Sequence, residues 1–324
     1  MLHVTNGESA AAVIRAAVPG EVLPWNDVLH EGPVPADVSF NQLRAIRARF
    51  IADCGWHPFD AALRQFADRD RALEAGLRHD EIVLWFEHDL YDQLQLVQLL
   101  DWFATCELGA TRLTLICDAE YLGTSGPPRA AERFPMRTVV TRPQLEIARG
   151  AWAAFRAPDP TMIESFVGTP TRELRFVAPA LMRHLEQFPS AENGLSRTEQ
   201  QAVEVLLEGP AAPRAVFARS HNEREDPVFL GDTTFARHLQ GLSDGAYPLL
   251  ITVGGARPGA AGEHAFWTTP VALTEFGRSV VSGEADHVRA NGVDRWLGGV
   301  HLSGDEIRWR WSRATNRLVA SALL

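Results

Sequence analysis

Over roughly the first 125 residues, short apolar runs alternate with helix-period stretches, and few architectures accept that alternation. Repetition of this kind implies a parallel sheet covered by helices. "LHVT" reads as a first strand, after which Ser9 is expected to cap a helix through "AAAVIRAAV". "GEVLPW" is a second strand. "SFNQLRAIRARFIADCG" is amphipathic, with Leu43, Ile46, Phe50 and Ile51 on one face and Arg44 and Arg49 off it. The charge run of "FDAALRQFADRDRALEAGLRHD" predicts a helix with a solvated face. "EIVLWF" and "TRLTLIC" are buried strands on either side of a helix in "DQLQLVQLLDWFAT".

Residues 126–190 read as a helical connector interrupted by prolines, with "TPTRELRFVAPALMRHLEQF" a packed helix pair. The pattern changes after "PSAENGLS". Three helices ("RTEQQAVEVLLEG", "PRAVFARSHNE", "DTTFARHLQGLSDG") precede a β-hairpin of "YPLLITVGG" and "HAFWTTPVAL" with a glycine-rich tip, then a closing helix "TEFGRSVVSG". Three helices and a two-stranded wing is the order of a winged-helix domain. The expected organisation is α/β: a Rossmann-like parallel-sheet domain over 1–125, the connector over 126–190, and a winged-helix-like α+β domain over 191–324.

Composition removes several chemistries. All 31 basic residues are arginine, so there is no Walker or kinase lysine, no Ser–Lys dyad and no pyridoxal Schiff base. A net charge of −10 opposes whole-protein affinity for nucleic acid. No apolar run reaches the roughly 20 residues of a membrane span, and the N-terminus lacks the pattern of a signal peptide. Cys54, Cys106 and Cys117 are scattered and read as reduced thiols, which together predicts a cytoplasmic protein with no membrane partner.

Open α/β sheets bind ligands outside the carboxyl ends of their strands. After the first strand comes "TNGES", a turn into a helix N-terminus suited to an anion, with Ser9 either a cap or a ligand contact. After the second comes "PWNDVLHEGPVP", which sets Trp25, Asp27, His30 and Glu31 between prolines and Gly32. After "EIVLWF" come Glu87, His88, Asp89, Asp92 and Gln93, and after "TLIC" comes Asp118. Four strand ends thus deliver polar groups to one edge. Asp89 with Asp92 also has the form of a helix cap, and Trp25 that of a packed aromatic. Glu87 and His88 are adjacent on a strand, so alternation turns only one of them to a pocket.

Asp27, His30, Glu31, Glu87, His88 and Asp118 supply enough oxygen and nitrogen for a divalent metal, although no spacing matches a metal motif. NAD and FAD are disfavoured because "TNGES" has one glycine where G-x-G-x-x-G is needed, and no G-x-S-x-G elbow marks a serine hydrolase. In the C-terminal half the expected recognition helix offers only Arg237, His238 and Gln240 to DNA, and from Ser190 onward 13 arginines face 16 acids. The tail "IRWRWSRATNR" predicts packed tryptophans opposite solvated arginines, with nucleic-acid stacking as the alternative, and Trp296 of "DRWLGG" docks it.

The motifs "HVTNGES", "PWNDVLHEGPVP", "WFEHDLYDQLQL", "NGLSRTE", "FLGD" and "DRWLGGVHL", in that order, resemble an uncharacterised bacterial family known as a domain of unknown function. The resemblance covers nearly the whole chain and implies an N-terminal α/β domain with a C-terminal extension. It matches at His3, Asn6, Gly7, Ser9, Trp25, Asp27, His30, Glu31, Gly32, Pro33, His88, Asp89, Asp92 and Gln93, and departs at Glu8 and Ser312, where the family more often has aspartate. It implies no activity. The residues themselves lead to an α/β domain that binds a small phosphorylated or nucleotide-like ligand, with hydrolysis or group transfer as the chemistry. There His30 would be the acid/base, Asp27 or Glu31 its partner, and the remaining polar groups ligand contacts. The alternatives are a ligand-responsive transcriptional regulator that reads DNA and a protein-interaction scaffold.

Overall fold

The computed structural model describes residues 1–259 and 262–321, so residues 260 and 261 of the expected glycine-rich tip lie outside the described residues. The chain divides into two compact units, Met1–Met182 with Trp296–Val300, and Arg183–Arg295 with the chain from His301 onward.

In the first unit β1 (Leu2–Thr5), α1 (Glu8–Ala17), β2 (Glu21–Pro24), β3 (Gly32–Pro33), α2 (Phe40–Asp53), α3 (Phe59–Gly76), β4 (Glu81–Glu87), α4 (Leu90–Phe103) and β5 (Arg112–Asp118) follow in order. Then come α5 (Leu122–Arg133), β6 (Thr138–Val139), α6 (Arg142–Arg156), α7 (Thr161–Val167) and α8 (Val177–Leu185). The sheet order is β2-β1-β4-β5-β6, parallel except for β6. All seven residues of β4 are buried, as a central parallel strand covered on both faces requires. Ala10, Ile14, Leu122 and Ala130 cover Val83 and Trp85 on one of those faces. The order reverses between β1 and β4. Thr5 lies in register with Trp85, so the segments leaving β1 and β4 emerge side by side.

Local signals explain most boundaries. Ser39 and Gln42 form a reciprocal capping box at the start of α2. Asp89 caps α4 by accepting from the Asp92 N–H. Ser9, by contrast, is not a cap: α1 already begins at Glu8, with Gly7 at the N-cap and no side-chain capping bond. The charge run of α3 is only half solvated. Asp70 is buried and accepts from Arg69 at 2.9 Å and Arg44 at 3.2 Å, while the Arg69 guanidinium lies 3.7 Å from the Trp25 ring centre. The expected helix pair before residue 190 is one 3-10 turn, Arg172–Leu174, followed by α8.

The last strand of the unit comes from far along the chain, where Leu297 and Gly298 pair with Gly32 and Pro33. Gly299 lies against the end of α6, and a Cβ there would stand 1.8 Å from the Arg156 carbonyl oxygen. Backbone cannot yield as a flexible side chain does, so Gly299→Ala is expected to cost about 2–4 kcal/mol by overpacking and displacement. Denaturant unfolding measures it, and a loss below about 0.5 kcal/mol, the usual surface value, would contradict the close approach.

The second unit contains α9 (Arg197–Leu206), α10 (Pro213–Phe217), α11 (Asp232–Gly241), β7 (Leu250–Thr252), α12 (Glu263–Thr268), β8 (Val271–Leu273), α13 (Glu275–Ser282) and α14 (His287–Asn291). It is followed by β9 (Val293–Gly298), β10 (Val300–Gly304), β11 (Trp309–Ser312) and β12 (Arg317–Ala320). β7 and β8 pair antiparallel over three residues each. "HAFWT", expected in a strand, is helical in α12 and buries Phe266. In the β11–β12 hairpin Trp311 is buried as expected, but Arg310 is buried too, where Asp286 accepts from it at 2.7 Å.

Candidate functional site

The reversal point between β1 and β4 is where an open parallel sheet presents a crevice. Here the chain leaving β1 supplies Asn6, and the chain leaving β4 supplies Glu87 and the first turn of α4. Asn6 Nδ2 donates to Asp92 Oδ2 at 2.6 Å, which ties the two segments together. The Glu87 main-chain N–H donates to Asp92 Oδ1 at 2.7 Å, and the Leu122 N–H, at the start of α5, donates to Glu87 Oε1 at 2.6 Å. Tyr91 donates from its hydroxyl to the Asn6 carbonyl at 3.1 Å, and its ring centre lies 5.9 Å from that of His30. The loop after β2 thereby reaches the same edge.

Glu87, Asp89 and Asp92 are all buried, and one carboxylate oxygen from each lies within 4.8 Å of the others. Three carboxylates so placed resist ionising together. Burial, and then the Asp92 charge, push Glu87 up to about 8. Burial raises Asp92 to about 7 against the opposing bonds from Asn6 and the Glu87 N–H. Asp89 is raised well above the usual aspartate range, again first by burial and then by Asp92. Such a cluster can hold and exchange protons near neutrality, or hold a cation. Of the six metal-ligating residues expected from sequence only Glu87 belongs to it; Asp89 and Asp92 replace the others.

The structure also places the remaining expected site residues. Gln93 donates to the Glu87 carbonyl and, at 3.4 Å, to Cys117 Sγ. His88 turns away from Glu87, with its ring 5.3 Å from Tyr121 and 5.8 Å from Phe176. Asp118 pairs with Arg133, which also binds Glu120 at 2.9 Å. Ser9 lies in the first turn of α1, close to Gly123.

His3 lies within β1, not at its end, and is buried. Its Nδ1 accepts from Trp85 Nε1 at 3.0 Å and its Nε2 lies 3.1 Å from the Pro19 carbonyl. The carbonyl can only accept, so the ring is neutral with its proton on Nε2, and burial lowers its pKa.

Asp27, Trp25 and Gly32 form the frame of the proline-rich loop. Arg47 donates to Asp27 Oδ1 from Nε at 3.0 Å and from Nη2 at 2.8 Å. The same guanidinium donates to the carbonyls of Val28 at 2.8 Å and Glu31 at 2.7 Å. Trp25 Nε1 donates to Gln98 at 2.9 Å. Gly32 has a φ of 76°, and a Cβ there would meet the Phe50 ring at 2.5 Å. Tyr91 and Arg47 were not among the expected residues. Tyr91 lies inside the "EHDLYDQ" motif, which could have flagged it; Arg47 carries no such signal.

No helix among the described residues is long and apolar enough to cross a membrane. Comparisons with family models and with curated proteins find no match to this chain.

Proposed function

We propose that the first unit binds a small phosphorylated or nucleotide-like ligand at the carboxyl edge of its sheet, as a hydrolase or group-transfer enzyme of Rossmann-like type. The observation that carries this reading is the Asn6–Asp92 link, because it joins the two diverging segments where a parallel sheet opens its ligand crevice. The N-terminus of α1, ten residues long and without a side-chain cap, follows Asn6 directly and has main-chain N–H groups for an anion. His30 acts as the acid/base from the neighbouring loop, Glu31 stands beside it, and Asp27 holds the loop through Arg47. The protein would act in the cytoplasm.

A thermal-shift panel of nucleotides, sugar phosphates and inorganic phosphate tests this. A ligand at 100 times its Kd adds about 2.7 kcal/mol of stability. The shift should vanish in Asn6→Ala and persist in His30→Ala, while turnover is lost in His30→Ala. A flat panel would overturn the reading.

The second unit is proposed as winged-helix-like from its order of three helices and a short antiparallel pair. In α11 His238 is buried 3.7 Å from Glu199, so it supports the fold instead of facing a groove, which favours a scaffold over a DNA reader. A gel shift at low salt that retards sheared DNA would reverse that choice.

A further inference from the structure

We infer that Glu87, Asp89 and Asp92 form a binding site for one hard divalent cation, Mg²⁺, Mn²⁺ or Ca²⁺. The inference rests on the reading above in taking this strand edge as the ligand site, and it names what would let three acids coexist with an anionic ligand.

Three guanidiniums of the unit are committed elsewhere: Arg47 to Asp27, Arg133 to Asp118 and Glu120, Arg137 to Glu81. The three carboxylates are met instead by neutral donors, from Asn6 and from the main chain of Glu87, Asp92 and Leu122. Neutral donors orient carboxylates without cancelling their charge.

A second observation lies at the ends of the same two strands. Gln93 and Thr5 are 2% and 1% exposed, and Gln93 Oε1 and Thr5 Oγ1 have no hydrogen-bond partner among the described residues. Gln93 is held at the Glu87 carbonyl by its own Nε2, so its free oxygen is fixed at this strand end. Thr5 ends β1 in register with Trp85, on the sheet face that also carries Glu87. A buried oxygen left without a donor is unfavourable, and a cation relieves it. Carboxylate, amide and hydroxyl oxygens without imidazole or thiolate suit Mg²⁺, Mn²⁺ or Ca²⁺ better than a soft metal. The nearby Cys117 is a protonated thiol, pushed up to about 12 by burial.

The test is a Mn²⁺ titration, followed by electron paramagnetic resonance, of the full chain stripped with EDTA and desalted. One saturable site per chain is expected, displaced by Mg²⁺ or Ca²⁺. Affinity should fall at least tenfold in Glu87→Gln and Asp89→Asn, and severalfold in Gln93→Leu. Asn caps helices about as well as Asp, so Asp89→Asn keeps α4 intact; Gln93→Leu serves if either carboxylate variant fails to fold. No saturable site, or unchanged affinity in these variants, overturns the inference. Running the phosphorylated-ligand panel in EDTA and again in Mn²⁺ separates the two claims. Ligand shifts in EDTA without a Mn²⁺ site sink the cation and keep the ligand; a Mn²⁺ site with a flat panel does the reverse.

Discussion

In EDTA the protein is expected to lose stability as pH rises from about 4.5 to about 8, the interval between the ordinary and the folded value for Glu87. A carboxyl whose folded pKa is raised binds its proton more tightly folded than unfolded. Its contribution is therefore complete below the unfolded value and lost as pH climbs through the folded one. The displacement of Glu87 alone corresponds to about 5 kcal/mol at roughly 1.4 kcal/mol per unit. Glu87, Asp89 and Asp92 share their protons, so their contributions do not add, and about 3–5 kcal/mol is expected for the cluster. For a unit of this size that is a fall in Tm of roughly 6–20 °C. Scanning calorimetry between pH 4.5 and 8.5 measures it. Glu87→Gln should make the profile shallower without flattening it, because the amide keeps an oxygen for the Leu122 N–H and cannot ionise, while burial still raises Asp89 and Asp92. Saturating Mn²⁺ should reverse the slope, since an occupied site favours ionised carboxylates. A wild-type profile flat in EDTA would mean that the three acids are not buried together.

The strands of the first unit were legible because they are short apolar runs bounded by turn residues, and β1, β2, β4 and β5 occur where those runs predict. The shared edge followed from the general rule for parallel sheets. The carboxylate cluster did not, because it depends on how the end of β4 meets α4. Asp89 was recognisable as a cap, but a cap is a local statement. That Glu87 folds back on a residue five positions later, and that both are sealed from water, is a property of the strand–helix junction.

Charge misled at two residues and gave no signal at a third. Asp70 and Arg310 lie in stretches that read as solvated, and Arg47 drew no expectation, yet each is buried against an opposite charge: Asp27 for Arg47, Arg44 with the adjacent Arg69 for Asp70, and Asp286 for Arg310. The Asp27–Arg47, Arg44–Asp70 and Asp286–Arg310 pairs are 20, 26 and 24 residues apart, a separation that a single chain does not announce. In α12 the reason differs. Aromatic and threonine residues favour strands only weakly, and "HAFWT" buries Phe266 equally well from a helix.

The largest effect of a single substitution is expected at Arg47. The proline-rich loop satisfies its own backbone only in part, through the Glu31 N–H to the Val28 carbonyl, and one guanidinium adds to this by binding Asp27 twice and the carbonyls of Val28 and Glu31. Arg47 and Asp27 side chains are each 2% exposed, so little water can replace either partner. Arg47→Ala leaves the Asp27 carboxylate buried without its guanidinium and takes one donor from each of the Val28 and Glu31 carbonyls, and should cost about 3–5 kcal/mol. Asp27→Asn should cost less, since it retains a carbonyl oxygen for Arg47. The pair Arg47→Met with Asp27→Leu should recover much of the loss, because a buried ion pair replaced by apolar groups of similar size is often neutral or better. Denaturant melts of the four chains measure all three differences. If Arg47→Ala costs under about 1 kcal/mol, the pair behaves as a surface salt bridge and the loop has other support. If the double variant is stable and keeps the ligand shift yet loses turnover, the ion pair matters for where it puts His30, and the stiffness of the loop belongs to the site.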